Sequence, residues 1–283
     1  MERVPVVETA MNTCAIARSM VTNPSVDADD GLPLAALKRA DALATLRDGS
    51  MTRRELMDTL DVSRTTIHRL VRALEAADLV DQQGNDFVLT VFGHTVAEEV
   101  STYRRRISAA SRMQPFLETV DAFPGEIELF AEATVTVTEP TNPYAPVERF
   151  INLVTASGTL RGFDTTAIAP IIVPDIREAI LSGMETDMIY LPPVVESIVE
   201  EYPDDIAEVA DSGRLTLSTH SNLPFGLAIF DDRIGLGGYD AETGMLRTFV
   251  DTDDDRARTW ALDLYDEYRE EATAKDLSQL VNA

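Results

Sequence analysis

The sequence predicts a mixed α+β and α/β protein in two parts. Short helices and a hairpin come first, and a mixed sheet covered by helices follows a connecting helix. Three observations favour this organisation. Apolar residues recur at helical spacing in the first part, strand-like alternation dominates beyond Pro115, and the two parts differ in charge. At 283 residues and 45% hydrophobic composition, the chain can form two cores.

Charge is unevenly distributed along the chain. Of 24 basic and 49 acidic residues, 12 and 11 fall within residues 31–112, which leaves 12 basic and 38 acidic residues elsewhere. The net charge of −25 alone would argue against nucleic acid, since phosphate binding depends on Lys and Arg. Lys38 and Lys275 are the only lysines. This Arg-rich, strongly acidic composition resembles proteins of halophilic archaea, whose molar salt screens charges beyond about 3 Å.

Two helices are predicted before residue 61. The first ends at Asp48-Gly49 and carries an apolar stripe of Leu34, Leu37, Leu43 and Leu46. The second is short, because Thr52 and Glu55 have the spacing of a capping box. Its buried stripe comprises Leu56, Met57 and Leu60.

A third helix follows the tight turn at Asp61-Val62, and Ser63 is placed to cap it. Its inward residues are Ile67, Leu70, Val71 and Leu74. The residues left facing outward can all donate hydrogen bonds: Arg64, Thr65, His68, Arg69 and Arg72. A helix-turn-helix presents such donors to the DNA major groove. We expect Arg64 and His68 to read bases, Thr65 to meet a thymine methyl or a phosphate, and Arg69 and Arg72 to meet phosphate.

A hairpin follows, with strands at Leu79-Val80 and Phe87-Val88-Leu89 and turn residues between them. With this hairpin, the stretch "VSRTTIHRLVRALEAADLV" resembles the winged helix-turn-helix domain of archaeal and bacterial transcription regulators. The resemblance implies double-stranded DNA as partner, with Ser63 at the helix start and Gln82, Gln83 and Asn85 as wing-tip contacts. The family often has Gly where this chain has Ala77-Asp78.

A connector helix is predicted over residues 93–114, ending where Pro115 disfavours helix. Its apolar residues repeat at the spacing of a helix-pairing seam and predict a homodimer: Val100, Tyr103, Ile107 and Ala110. The run Arg104 to Arg106 could follow the DNA backbone or be a solvated face, and the sequence favours neither alternative.

Beyond Pro115 the pattern predicts strands within TVTVTE, TLRGF, DMIYL, RLTLS, GLAIF and RIGLG. Helices are predicted at Val147 to Ala156, Asp175 to Ser182 and Pro193 to Glu201. Hairpins are expected at Asp231-Asp232 and at Glu242 to Gly244. Asp254 is placed to cap a last helix, in which Trp260 is a candidate core residue.

The stretches "ATVTVTEPTNPYAPVERFINLV", "LPFGLAIFDDRIGLGGYD" and "TFVDTDDDRARTWALDLYDEYR" resemble the C-terminal domain of archaeal regulators of the methanogenesis-regulator, or FilR, type. This resemblance implies an effector-sensing domain and, by analogy with sugar-responsive regulators, a phospholipase-D-like fold. It identifies no effector.

Catalysis is not expected. Phospholipase-D-like enzymes need a His with a Lys two residues later, but His220 is followed at that spacing by Asn222. Neither a P-loop nor a GxGxxG motif occurs, and one cysteine, Cys14, cannot form an internal disulfide or a cysteine-rich zinc site. No catalytic residue, cofactor or metal is therefore predicted. Four residues are candidates for a ligand site, since open α/β sheets bind ligands at strand ends: Asp164, Thr165, His220 and Asn222.

The predicted map is an extension over 1–30, a DNA-binding domain over 31–92, the connector over 93–114 and an α/β sensor over 115–283. Without an apolar run long enough for a membrane span, and without a signal-peptide pattern, a cytoplasmic protein is expected. The leading hypothesis is a dimeric transcription regulator. The alternatives are a protein-interaction or ligand-binding module that uses the three-helix unit on a protein partner, and, disfavoured by the missing lysine, a phosphodiesterase.

Overall fold

A computed structural model describes residues 31–166 and 170–277. The chain divides into two compact units, Met1–Arg104 and Arg105–Ala283. The predicted extension over residues 1–30 lies outside the described residues. Within the part that is described, none of the helices is long and apolar enough to cross a membrane.

The first unit is mainly helical. Its helices are α1 Gly31–Leu37, α2 Ala40–Arg47, α3 Arg53–Leu60, α4 Arg64–Glu75 and the start of α5 Val91–Leu117. Three strands, β1 Met51–Thr52, β2 Val80–Gln83 and β3 Asp86–Leu89, form an antiparallel sheet in the order β1-β3-β2. The hairpin of β2 and β3 is the predicted wing, whereas the pairing of β1 with β3 had no signal in the sequence.

The first predicted helix is two helices, because the chain turns at Lys38 and Arg39 between α1 and α2. This break brings Ala36 and Ala40 into the core, where they are 1% and 6% exposed. The expectation that Leu34 belongs to the buried stripe is wrong, since 53% of its surface is exposed. Leu43 and Leu46 are buried as predicted.

The second unit contains a mixed eight-stranded sheet. Its strands are β4 Thr134–Val137, β5 Thr159–Asp164, β6 Glu185–Tyr190, β7 Leu215–Thr219, β8 Gly226–Ile229, β9 Ile234–Tyr239, β10 Leu246–Thr252 and β11 Thr273–Ala274. They are ordered β11-β7-β6-β5-β8-β9-β10-β4. The neighbours β5, β6 and β7 are parallel, and the other pairs are antiparallel. The predicted mixed sheet with covering helices is confirmed.

Helices cover both faces of this sheet. They are α6 Ala145–Thr155, α7 Val173–Leu181, α8 Pro192–Glu201, α9 Pro203–Asp211 and α10 Asp255–Glu271, with short 3-10 turns at Ile127–Phe130 and Pro170–Ile172. One apolar cluster joins α10 and the end of α5 to one face of the sheet, and a second joins α6 to α9 to the other. Trp260 borders the first cluster and packs against Phe123 and Phe130.

Two predicted boundaries in this region differ from the structure. Helix α5 continues through Pro115 and ends at Leu117, because a proline near a helix end leaves most of the hydrogen-bond ladder intact and Phe116, 0% exposed, anchors the last turn in the core. Helix α9 was not predicted. It follows α8 after a single residue, Tyr202, so periodicity alone could not separate the two.

Candidate functional site

The geometry of α4 follows from its cap and its apolar stripe. Ser63 Oγ accepts a hydrogen bond from the backbone N–H of Thr66 at 3.2 Å, and the helix begins at the next residue, Arg64. Three inward residues recur every three to four positions and are at most 1% exposed: Ile67, Val71 and Leu74. This burial fixes which side of α4 faces solvent.

The solvent-facing side of α4 carries every outward residue predicted from the sequence. All five are exposed: Arg64, Thr65, His68, Arg69 and Arg72. We call these five side chains the α4 donor face. Arg64 and His68 are four residues apart and therefore neighbours along the helix. Their cationic and imidazole groups can donate hydrogen bonds to base edges or phosphate oxygens.

The turn that positions α4 depends on a left-handed residue. Asp61 has φ 49°, and both its own N–H and that of Val62 donate to Met57 O at the end of α3. Asp tolerates this conformation better than most residues do. A second aspartate in the left-handed conformation, Asp78 with φ 56°, lies between the end of α4 and the first strand of the wing. Asp78 thus occupies a left-handed position of the kind that glycine adopts most readily.

The wing tip is polar and exposed. Gln82, Gln83 and Asn85 all lie at the surface, and Gly84 takes φ 66° at the turn. Gln82 Nε2 donates to Gly84 O at 2.9 Å, so part of its hydrogen-bonding capacity holds the turn. Gln83 and Asn85 extend the polar surface of the hairpin, as predicted for the wing.

Two arginines that were not predicted as site residues begin helix α3. Arg53 places its guanidinium 5.3 Å from the centre of the Phe87 ring, which ties it to β3 of the wing. Arg54 lies in an exposed ion pair with Asp58 at 3.9 Å, and its side chain is 86% exposed. The signal that could have found them is their adjacency at a helix start, directly after the capping residue Thr52.

The connector arginines and seam residues have mixed surroundings. Arg104 pairs with Asp41 at 2.6 Å and Arg106 pairs with Glu128 at 3.1 Å, which favours the interpretation that these side chains stabilise the protein surface. Of the seam residues, Val100 is 8% exposed and belongs to the core of the first unit. Tyr103 and Ile107 are 51% and 50% exposed.

The second unit contains a cavity of about 530 Å³ between the sheet and helices α6 to α9. Its wall is largely aliphatic and aromatic, as in small-molecule sites of this size. Residues at its wall include Phe150, Leu160, Ile176, Met188, Ile198, Leu217 and Phe249. Asp164, Tyr190 and Tyr239 add polar groups at the carboxyl ends of β5 and β6 and at the end of β9.

Asp164 is the centre of a hydrogen-bond network. Its Oδ1 accepts from the backbone N–H groups of Thr165 at 2.7 Å and Thr166 at 3.3 Å, and its Oδ2 accepts from Tyr239 Oη at 2.5 Å. Burial raises the pKa of Asp164 to about 6, although these hydrogen bonds act in the opposite direction. Burial also raises the pKa of Tyr190 and of Tyr239, so both remain neutral phenols at physiological pH.

The four residues predicted to line one ligand site do not come together. Asp164 lies in the cavity wall, whereas Thr165, His220 and Asn222 are not among the wall residues. Asp164 of β5 is the register partner of Tyr190 of β6, and Tyr190 is the register partner of Thr219 of β7. The side chains of these three residues therefore lie on the same face of the sheet. His220 is one residue further on and points to the other face, because side chains alternate along a strand.

His220 has partners of its own on that other face. Its ring packs edge-on against Tyr268, with centroids 5.1 Å apart, and its Nε2 lies 3.4 Å from Glu271 Oε2. The backbone of Asn222 contacts His220 Nδ1, with the N–H at 3.1 Å and the carbonyl oxygen at 2.6 Å. These contacts close the loop after β7. Within residues 31–166 and 170–277, no cluster of three or more His, Cys, Asp or Glu side chains could hold a metal ion.

Comparison with known proteins gives matches over most of the chain. Residues 143–271 match the middle domain of the methanogenesis regulatory protein FilR1, and residues 30–112 match the HVO_A0261 N-terminal domain. No curated protein matched the sequence.

Two solved structures are distantly similar to this chain. TrmBL2, an archaeal chromatin protein whose structure was described as showing a novel mode of DNA binding, is 18% identical, with 86% of this chain and 94% of that chain covered and a TM-score of 0.41. Nuc from Salmonella typhimurium, a phospholipase D family member, is 16% identical, with 50% of this chain and 98% of that chain covered and a TM-score of 0.40. Scores this low carry no argument about function, and the phospholipase-D-like fold stays a prediction.

The two domain matches support an archaeal transcription regulator as the class of this protein. More particularly, the chain carries a FilR1-type domain, which confirms the resemblance seen in the sequence. The halophilic origin stays a prediction.

Proposed function

We propose that this protein is a transcription regulator that binds double-stranded DNA through its first unit and receives a small-molecule signal in its second. The observation that carries the proposal is the α4 donor face: five hydrogen-bond donors are exposed together on one side of a helix whose other side is buried. A helix of this kind, preceded by a tight turn and followed by a hairpin, suits the major groove with the wing beside it.

The proposal assigns different roles along α4. Arg64 and His68, near the helix start, contact base edges, and Arg64 is suited to the O6 and N7 atoms of a guanine. Arg69 and Arg72 contact phosphate, and Gln83 and Asn85 on the wing contact the minor groove or the backbone. Phosphate contacts position a protein on DNA, and base contacts specify the sequence.

The experiment begins with selection of bound duplexes from a random library, because the operator is unknown. Affinities of the wild type, Arg64→Ala and Arg72→Ala are then measured on the selected duplex and on a scrambled one. Arg64→Ala should lose about 1 to 3 kcal/mol on the selected duplex and little on the scrambled one. Arg72→Ala should weaken both duplexes alike. Arg161→Ala, an exposed arginine of the second unit, is the matched control and should change neither.

Two results would count against this assignment. If no sequence is enriched by the selection, the first unit does not read DNA, and a protein partner for the same surface becomes the better explanation. If Arg64→Ala weakens both duplexes equally, Arg64 is a phosphate contact and base reading lies elsewhere on α4.

The proposal includes a homodimer that pairs through α5. Tyr103 and Ile107 leave about half of their surface in solvent and, four residues apart, lie on the same face of α5, where the matching face of a second α5 would cover both. Sedimentation equilibrium should give a dimer for the wild type and a shift toward monomer for Ile107→Glu. Ser108→Glu, exposed and about 100° further round the helix, is the control. A wild-type monomer at all concentrations would remove dimerisation from the proposal.

A further inference from the structure

The cavity in the second unit has an unpaired polar group at one end. Thr186 lines it and is 5% exposed, and its Oγ1 has no hydrogen-bond partner among the residues that the structure describes. Buried hydroxyls nearly always have a partner. Oγ1 itself has essentially no accessible surface, so a rotation about the Cα–Cβ bond is needed to turn it toward the cavity, where a ligand atom would supply the partner that it lacks. Valine would have filled this strand position without a polar atom to satisfy.

The opposite end of the cavity has a hydrogen-bond acceptor. Asp164 Oδ2 accepts from Tyr239 Oη and, among the described residues, from no other donor, which leaves this oxygen able to accept one more hydrogen bond. Both carboxylate oxygens lie at the carboxyl end of β5, where Tyr190 of β6 is the neighbour in the parallel register. A ligand group that donates a hydrogen bond is therefore complementary to this end.

The two ends are separated by an apolar floor. Thr186 precedes Tyr190 by four residues on β6, so the two polar ends lie about 13 Å apart along the strand. Between them the side chains of Met188 and Leu217 line the cavity, and Leu160 lies beside Thr186 in the parallel register. An elongated ligand with an apolar middle would bury its chain here, and apolar burial is the main source of affinity in such sites.

Charge at the wall decides between ligand head groups. Acidic side chains at the wall are Asp164, Glu201 and Asp205, whereas Arg177 is the one basic side chain among the described wall residues. Arg177 is already paired with Asp205 at 3.2 Å and with Glu208. An anionic ligand would face an acidic wall in which Arg177 already has carboxylate partners. Hydroxyl and amino groups are therefore favoured over carboxylates as ligand head groups.

From these observations we propose that the cavity binds an elongated, mainly apolar small molecule with a hydroxyl or amino group at one end, bound by Asp164, and a second polar group at the other, bound by Thr186. This ligand class rests on the proposed signal-receiving role of the second unit. It does not depend on DNA binding, which the duplex selection tests separately on the ligand-free protein.

The test uses the full chain and four eight-carbon probes: octan-1-ol, octane-1,8-diol, octylamine and octanoate. Binding is measured by calorimetry, and unfolding is followed by the fluorescence of Trp260, the single tryptophan. We expect saturable one-to-one binding, with octylamine tighter than octanoate. The diol should bind about three- to ten-fold tighter than octan-1-ol, because it offers a partner to Thr186.

Two variants separate ligand recognition from a structural role. Thr186→Val should abolish the advantage of the diol and raise the unfolding temperature of the ligand-free protein, since it removes the unpaired hydroxyl. Asp164→Asn should abolish the preference for octylamine over octanoate. Glu271→Gln, a carboxylate-to-amide change at the end of α10, is the control and should leave both ratios unchanged.

The proposal is overturned if none of the probes binds with one-to-one stoichiometry. It is also overturned if Thr186→Val and Asp164→Asn fold but retain both affinity ratios. If the wild type selects no duplex but shows both affinity ratios, the proposed DNA-binding role is overturned and the proposed ligand class stands.

Discussion

Replacing Asp164 with asparagine should change how the stability of the second unit depends on pH. The carboxyl has a pKa of about 6 in the folded protein, against about 3.9 in an unfolded chain. Between these values the folded state binds more protons than the unfolded state, so the free energy of unfolding falls as pH rises from about 4 to about 6. The difference between the two pKa values corresponds to a loss of about 3 kcal/mol across this window.

The measurement compares the wild type and Asp164→Asn by urea unfolding at several pH values between 4 and 7, followed by Trp260 fluorescence at constant high salt. Trp260 lies in the second unit, so the signal reports on that unit. Asparagine does not titrate, so its free energy of unfolding should not fall as that of the wild type does. Between pH 4 and pH 6 the variant should therefore gain about 3 kcal/mol in free energy of unfolding relative to the wild type, or about 6 to 12 °C in unfolding temperature. Other carboxylates titrate in both proteins and cancel.

Glu270→Gln, at an exposed glutamate of α10, serves as the matched control and should show the wild-type profile. A difference between the wild type and Asp164→Asn that stays constant from pH 4 to pH 7 would refute the reasoning, because it would mean that Asp164 ionises in the folded protein as it does in water.

Three further substitutions test packing, capping and ion pairing. Gly93→Ala should destabilise the first unit by about 1 to 3 kcal/mol or more, because a Cβ there would lie 1.9 Å from Leu79 O. Unfolding followed by circular dichroism of the helices measures this loss, and unchanged stability would contradict the prediction. Ser63→Ala should cost about 1 kcal/mol through loss of the cap, visible as faster amide hydrogen exchange at the start of α4, and wild-type exchange would contradict it. Asp251→Asn should lower the free energy of unfolding by about 3 to 5 kcal/mol, measured by tryptophan fluorescence. Asp251 is 0% exposed and binds Arg149 through both carboxylate oxygens, at 2.8 and 2.7 Å. A loss below about 1 kcal/mol would contradict this prediction.

Local signals in the sequence predicted the first unit well because they act over three or four residues. Thr52 and Glu55 form the reciprocal capping box, with Glu55 Oε2 accepting from the Thr52 N–H at 2.8 Å. Ser63 caps α4, and the burial of Ile67 follows from its place in the 3.6-residue period. Each of these features depends on neighbours that are adjacent in the chain.

Features that depend on distant segments were not predictable in this way. The separation of Asp164 from His220 needs the registers of three strands, since a shift of one residue exchanges the two faces of a sheet. The close approach of Gly93 to Leu79 depends on how α5 packs against the start of the wing. Thr186 looks like an ordinary strand residue in the sequence, and its unpaired hydroxyl is recognisable only beside the cavity.

The net charge of −25 bears on how such a protein would recognise DNA. Long-range attraction to phosphate is weak or unfavourable for the chain as a whole, so electrostatic steering cannot provide fast association. Charges separated by more than about 8 Å are largely screened at physiological ionic strength, and the distance is shorter at higher salt. Bidentate contacts of the kind proposed for Arg64 act at hydrogen-bond distance and survive this screening. Recognition would therefore depend more on base contacts by the α4 donor face than on counterion release, which is how an acidic chain can still discriminate between DNA sequences.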